Sequence, residues 1–201
     1  MRSDFPLKEK YGFHDLVQIM RVLRGPGGCP WDAQQTHASI RKNFIEETYE
    51  AIEAIDAADP VLLQEELGDV LLQVIYHAAM EEEQGSFSID DVCDGVCKKL
   101  VTRHPHIFGD IKADTAEEVL SNWEEIKQRE KGQKTATETL ESVPKVFPAL
   151  MRAEKIQKRA SRAGMDYDSL NDAFRDLRSE VDELEDAVKS GTAQEKTLEL
   201  G

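Results

Sequence analysis

Four carboxylates sit inside two apolar helical patterns, and that placement constrains the fold more than any other feature of the chain. The segments Glu46-Glu47-Thr48-Tyr49-Glu50 and Glu66-Leu67-Gly68-Asp69 each hold acidic residues three apart. Residues three or four apart share a helix face. Glu47 and Glu50 therefore leave one helix in the same direction, and Glu66 and Asp69 leave the next one together. Carboxylates on adjoining helices repel one another unless a cation lies between them. An all-oxygen donor set suits a hard divalent ion such as Mg²⁺ or Mn²⁺.

The apolar spacing around these segments is helical almost throughout. Phe13, Leu16, Val17, Met20 and Leu23 mark a helix over 12–24, and the Gly- and Pro-rich stretch 23–30 must break it. A second helix is expected over 39–57, with Phe44, Ile45, Ile52 and Ile55 as its apolar side. Asp59-Pro60 is a start signal, an N-cap with proline at the first helical position. The helix it opens is expected to turn Leu63, Leu67, Val70, Leu71, Val74 and Ile75 inward and to stop at Gly85. Ser88 with Asp91, and Thr115 with Glu118, are capping boxes for helices over 89–102 and to about residue 131. Two more follow near 147–162 and 170–189. No segment alternates with period two, so the fold class is all-α.

A chain of 201 residues can bury one good core or one domain and part of another. The division expected here is a first domain over 1–131, a polar linker over 132–145 and an incomplete second repeat over 146–201. The formal net charge of −15 argues against a nucleic-acid partner, whose phosphates need a basic footprint. A nucleotide remains compatible, because bound cations neutralise a triphosphate locally. No apolar signal core and no window of transmembrane length is present, which implies no membrane partner and a cytoplasmic protein. Cys29, Cys93 and Cys97 are too few and too scattered for a disulfide frame or a paired zinc motif, and reduced thiols are expected.

The acidic spacing recurs. Glu47, Glu50 and Glu66 are separated by 3 and 16 positions, and so are Glu180, Glu183 and Glu199. Leu67-Gly68 follows the first set and Leu200-Gly201 the second, where the chain stops before a counterpart of Asp69. Duplication explains these matched offsets better than chance acidic faces do. The second copy, with Ser179 in the place of Glu46, is not expected to form a complete site.

These residues resemble the MazG family of nucleoside triphosphate pyrophosphohydrolases, whose hallmark is Glu-Glu-x-x-Glu followed by Glu-x-x-Asp. Gly28-Cys29-Pro30-Trp31-Asp32, Arg103-His104-Pro105-His106-Ile107-Phe108 and the segment 148–163 are similar to other signatures of its two-repeat bacterial members. The resemblance implies a helical bundle that dimerises into a four-helix core. It also implies Mg²⁺-dependent cleavage of a nucleoside triphosphate to the monophosphate and pyrophosphate, in clearing nucleotide pools. By the same resemblance Glu47, Glu50, Glu66 and Asp69 are the metal ligands, with Mn²⁺ as a possible substitute ion. Asn43, Lys99 and Arg103 match nucleotide-contact positions.

Other roles follow from placement. Glu46, about 100° of helix turn from Glu47, is a candidate general base. Trp123 could stack on a base and Lys127, one turn on, could reach a phosphate. The plainer alternatives are a buried ring and solvated cations that offset helix dipoles. Trp31 is expected to plug the core and Asp32 to cap a turn. His104 and His106 read as structural. A di-iron bundle needs Glu-x-x-His pairs, and none of the five histidines has an acid three residues before it. The remaining alternative is non-enzymatic, a silent dimerising or regulatory lobe of a two-repeat protein.

Overall fold

The computed structural model describes residues 5–130, 132 and 135–200. The side chain of Glu199 and residue Gly201, which complete the repeated acidic pattern, lie outside the described residues. The chain divides into two compact units, Met1–Lys112 and Ala113–Gly201. Every regular element among the described residues is a helix.

The first unit contains α1 (Phe13–Arg24), α2 (Pro30–Gln34), α3 (His37–Asp56), α4 (Pro60–Glu83), α5 (Ile89–Arg103) and α6 (Pro105–Phe108). Local chemistry sets the ends of α3 and α4. The Thr36 hydroxyl accepts from the Ser39 amide to open α3, and the Asp59 carboxylate accepts from the amides of Val61 and Leu62 to open α4. Between them Ala58 turns left-handed at φ +52, and the Asp59 amide reaches back 3.1 Å to the Ala54 carbonyl. That is a Schellman closure built on alanine where glycine is usual. Gly85, at φ +74, closes α4 the same way.

α4 is the axis of this unit and packs on α3, α1 and α5. Its core joins Val17 and Met20 of α1, Ile40 of α3, Ile89 of α5 and the α4 run Ile75, Tyr76, Ala78, Ala79 and Met80. The expected inward faces of α3 and α4 differ from what is buried. Ile45, Ile52, Ile55, Leu67 and Leu71 are exposed, while Ile40, Ala51 and Ala54 are the buried residues of α3. Along the hairpin α3 buries small alanines, while Ile40 of α3 and Ile75, Tyr76 and Met80 of α4 supply the large core side chains.

The Gly/Pro loop after α1 is anchored rather than loose. The Arg24 side chain, 5% exposed, pairs through Nε with Glu83 at 2.6 Å and donates through Nη1 to the Asp32 carbonyl at 2.6 Å. The Tyr76 hydroxyl donates to the Asp32 carboxylate at 2.9 Å. Burial, and then this hydrogen bond, push the Tyr76 hydroxyl up to about 12. Asp32 thus clamps the loop to α4 instead of capping a turn. Trp31 does not plug the core: it is 61% exposed on α2, which Pro30 opens.

The second unit holds α7 (Ala116–Glu130), α8 (Ala136–Glu141), α9 (Ala149–Arg162), α10 (Leu170–Ser190) and α11 (Ala193–Leu200). The stretch expected to be a linker therefore contains a helix. α8 packs on α9, where Arg159 donates to the Thr139 carbonyl and, at 2.8 Å, to the Ser142 hydroxyl. The compact units divide at Lys112 and Ala113, ahead of the boundary expected at residue 131.

Gly28 is the residue on which the anchored loop turns. A Cβ there would overlap the carbonyl oxygens of Val22 and Leu23, backbone atoms with no rotamer to give way. Gly28→Ala should lower unfolding stability by roughly 2–3 kcal/mol, in the range of overpacked sites. Urea denaturation measures this, and an unchanged midpoint would show that the loop is not held as described.

Candidate metal centre

The hairpin brings three of the four singled-out carboxylates together. Glu47 of α3 and Glu66 and Asp69 of α4 each offer an oxygen, and these oxygens lie within 4.8 Å of one another. Helix geometry produces the cluster: α3 and α4 run antiparallel through a three-residue turn, which sets Glu47 opposite the Glu66–Asp69 pair. All three residues are half-buried. Among the described residues this is the group of histidine, cysteine and acidic side chains with metal-ligand spacing.

The electrostatics are those of like charges held close. Loss of hydration raises the Glu47 carboxyl above its ordinary value, and the charges of Asp69, Glu50 and Glu66 add to it. Glu66 is raised for the same first reason, with Glu50 and Asp69 behind it. Glu50 thus acts on both residues electrically while standing outside the 4.8 Å group. Uncompensated hard-oxygen donors at this spacing fit a divalent cation, which would remove the repulsion that raises them.

The other sequence candidates divide by position. Asn43 is exposed on α3, one turn before Glu47. Glu46 is drawn away from the cluster, its carboxylate 2.7 Å from Lys42 Nζ in a surface ion pair, so no contact supports its role as a base. Lys99 is exposed and Arg103 half-buried, both on α5 of the same unit. Trp123 and Lys127 come together on α7 of the other unit, the ammonium 4.5 Å from the ring centroid. His104 is structural, its Nδ1 donating to the Leu100 carbonyl at 2.6 Å. Cys29, Cys93 and Cys97 are all free thiols.

Two features of the seam escape the sequence patterns. Beyond the carboxylates, His37 and His77 meet Nδ1 to Nδ1 at 2.7 Å, one ring donating and the other accepting. His37 Nε2 also contacts Glu81 at 2.8 Å. Burial, then His37, lowers His77 below its ordinary value. Gln73 is the second feature, a buried amide between the carboxylates and this histidine pair. Gln73 and His77, at successive four-residue steps from Asp69, were the available signal.

Comparison with known proteins meets this geometry at the same residues. Residues 35–108 match the MazG nucleotide pyrophosphohydrolase domain. The nucleoside triphosphate pyrophosphohydrolase of Escherichia coli is 42% identical over 185 residues, 92% of this chain and 70% of that protein. A nucleoside triphosphate pyrophosphohydrolase/pyrophosphatase MazG of Thermotoga maritima is 45% identical over 188 residues, 94% of this chain and 72% of its own length. The chain belongs to the MazG family. The uncharacterised Bacillus subtilis protein YabN is 50% identical over 157 residues, and the chain spans 32% of that protein's length. The family match covers α3 to α6, so the carboxylate hairpin lies wholly inside it. No helix of the described residues is long and apolar enough to cross a membrane.

The raised carboxyls carry a stability consequence with a definite sign. In the fold Glu47 and Glu66 keep their protons to higher pH than in the unfolded chain. The metal-free fold is therefore favoured below the ordinary carboxylate value, and that contribution is lost as pH rises through the raised one. Glu47→Gln should raise the thermal midpoint of the metal-free protein at pH 7.5 by roughly 2 °C. The gain should vanish toward pH 4, and the rise that Mg²⁺ gives the natural chain should disappear with it. Scanning calorimetry with and without chelator measures all three, and a lower midpoint for the variant at pH 7.5 would contradict the described repulsion.

Proposed function

We propose that this chain hydrolyses nucleoside triphosphates at the α–β phosphoanhydride. Water adds to the α-phosphorus, the bond to the bridging oxygen breaks, and nucleoside monophosphate and pyrophosphate leave. The observation that carries this is the convergence of Glu47, Glu66 and Asp69 in a chain of the MazG family. The names of the Escherichia coli and Thermotoga relatives give the same activity.

Glu47, Glu66 and Asp69 would hold the divalent cation, Mg²⁺ or Mn²⁺, with Glu50 adding negative potential beside them. When bound, that cation neutralises triphosphate charge and acidifies water. The residues of the chain do the rest. Asn43, exposed one turn from Glu47, would donate to the substrate. Lys99 and Arg103 of the same unit would supply cations for its phosphates. In the cell such an enzyme clears unwanted nucleotides from the cytoplasmic pool.

A panel of nucleoside triphosphates incubated with the protein and Mg²⁺, followed by pyrophosphate release, tests the activity. Turnover is expected for at least one of them and should fall by 10²-fold or more in Asp69→Asn, as for loss of a principal electrostatic group. If no nucleotide yields monophosphate, the unit serves as a dimerising lobe and not as a catalyst.

Dimerisation rests on a separate observation. Ile45, Ile52 and Ile55 of α3 and Leu67 and Leu71 of α4 form an exposed apolar face, with Ile52 44% exposed and Leu67 53%. Two copies pairing these hairpins face to face would make a four-helix core, and a two-fold interface is the commonest way to cover such a face. Sedimentation velocity should show a dimer, and Ile52→Glu should sediment as a monomer. A natural chain that stays monomeric at tens of micromolar would remove the homodimer.

A further inference from the structure

Gln73 has no function in anything described so far, yet the fold keeps it at some cost. It is 7% exposed and is the buried polar residue among the described residues. Its Oε1 is buried with no hydrogen-bond partner among them. A buried carbonyl that lost its water and gained no donor bears its full desolvation. The residues that follow on α4 are Ile75, Ala78, Ala79 and Met80, and an apolar side chain at 73 would suit that company.

Its direction follows from the helix. Glu66, Asp69, Gln73 and His77 fall within about 80° of the α4 circumference at 100° per residue. Asp69 meets Glu47 of α3 on one side of Gln73, and His77 meets His37 of α3 on the other. Gln73 therefore faces α3, one turn from the carboxylates. The facing stretch of α3 is mid-helix, where amide N–H groups are already taken by the carbonyls four residues back. Among the described residues Oε1 meets no donor.

We propose that Gln73 is a positioning residue for the carboxylate site. Its Oε1 accepts a hydrogen bond from a water molecule ordered when Glu47, Glu66 and Asp69 take up a divalent cation. Mg²⁺ keeps several waters in such sites, each of them a donor, and groups that hold the outer shell tune affinity. This inference rests on the cation reading of the carboxylates.

The test follows the side-chain amide of Gln73 by NMR, assigned through bonds, as the natural chain is titrated with Mg²⁺. Its resonances should shift saturably with the same midpoint as the backbone amides of Glu66 and Asp69. Gln73→Met should fold with an equal or higher thermal midpoint and yet bind Mg²⁺ about 10-fold more weakly, the usual effect of losing an outer-shell partner. Gln73→Glu, which keeps the acceptor, should bind at least as tightly as the natural chain. An unmoved Gln73 amide at saturating Mg²⁺ would overturn the inference while leaving the carboxylate site intact, and so would undiminished affinity in a folded Gln73→Met. If that variant does not fold, the titration of the natural chain decides alone. If the natural chain shows no Mg²⁺ binding, the cation reading falls and this inference falls with it.

Discussion

Repulsion between carboxylates on α3 and α4 is the constraint around which the first unit is built. Held close in the hairpin, Glu47 and Glu66 are raised first by lost hydration and then by the carboxylates beside them. The hairpin holds because other contacts offset that repulsion. Ala51 and Ala54 are buried on α3, the Ala58 closure fixes the turn, and α1 and α5 pack α4 from its other sides. Local stability is thus exchanged for a preorganised charge cluster, the usual arrangement at sites that bind a cation.

The polar seam between the two helices is longer than the cluster itself. It runs from the carboxylates through Gln73 to the His37–His77 contact and Glu81. The opposite side of α4 is locked by Arg21–Glu82 and Arg24–Glu83, the latter backed by Tyr76 and Asp32. Charges that hold the fold are paired across α1 and α4, while those left unpaired toward α3 are the ones proposed to meet a cation and a triphosphate. This division lets one helix serve both packing and chemistry.

Much of this was legible in the residues. Period-3.6 spacing and caps at Asp59 and Ser88 place their helices within a residue or two, because capping is local chemistry. The three clustered carboxylates were legible because their spacing fixes a shared face. Which large apolar residues are buried was not: Ile45 and Ile52 look like core in the sequence, but α3 buries Ile40, Ala51 and Ala54 instead. Gln73 was hidden inside an apolar run, where a single amide does not break the pattern. Trp31 misled because ring size suggests burial, whereas the ring stands exposed on α2. The helix at 136–141 was missed because its few apolar residues read as linker composition. The resemblance of the motifs, and not their spacing alone, pointed to the triphosphate.

The central claim is that the carboxylates are a cation site whose occupancy relieves their repulsion. Calorimetric titration with Mg²⁺ in buffers of different ionisation enthalpy tests it most directly. Saturable binding should be accompanied by proton release at acidic pH, where the raised Glu47 and Glu66 hold protons, and the release should fade as pH rises. Heats that do not saturate, or binding with no proton release at any pH, would contradict it.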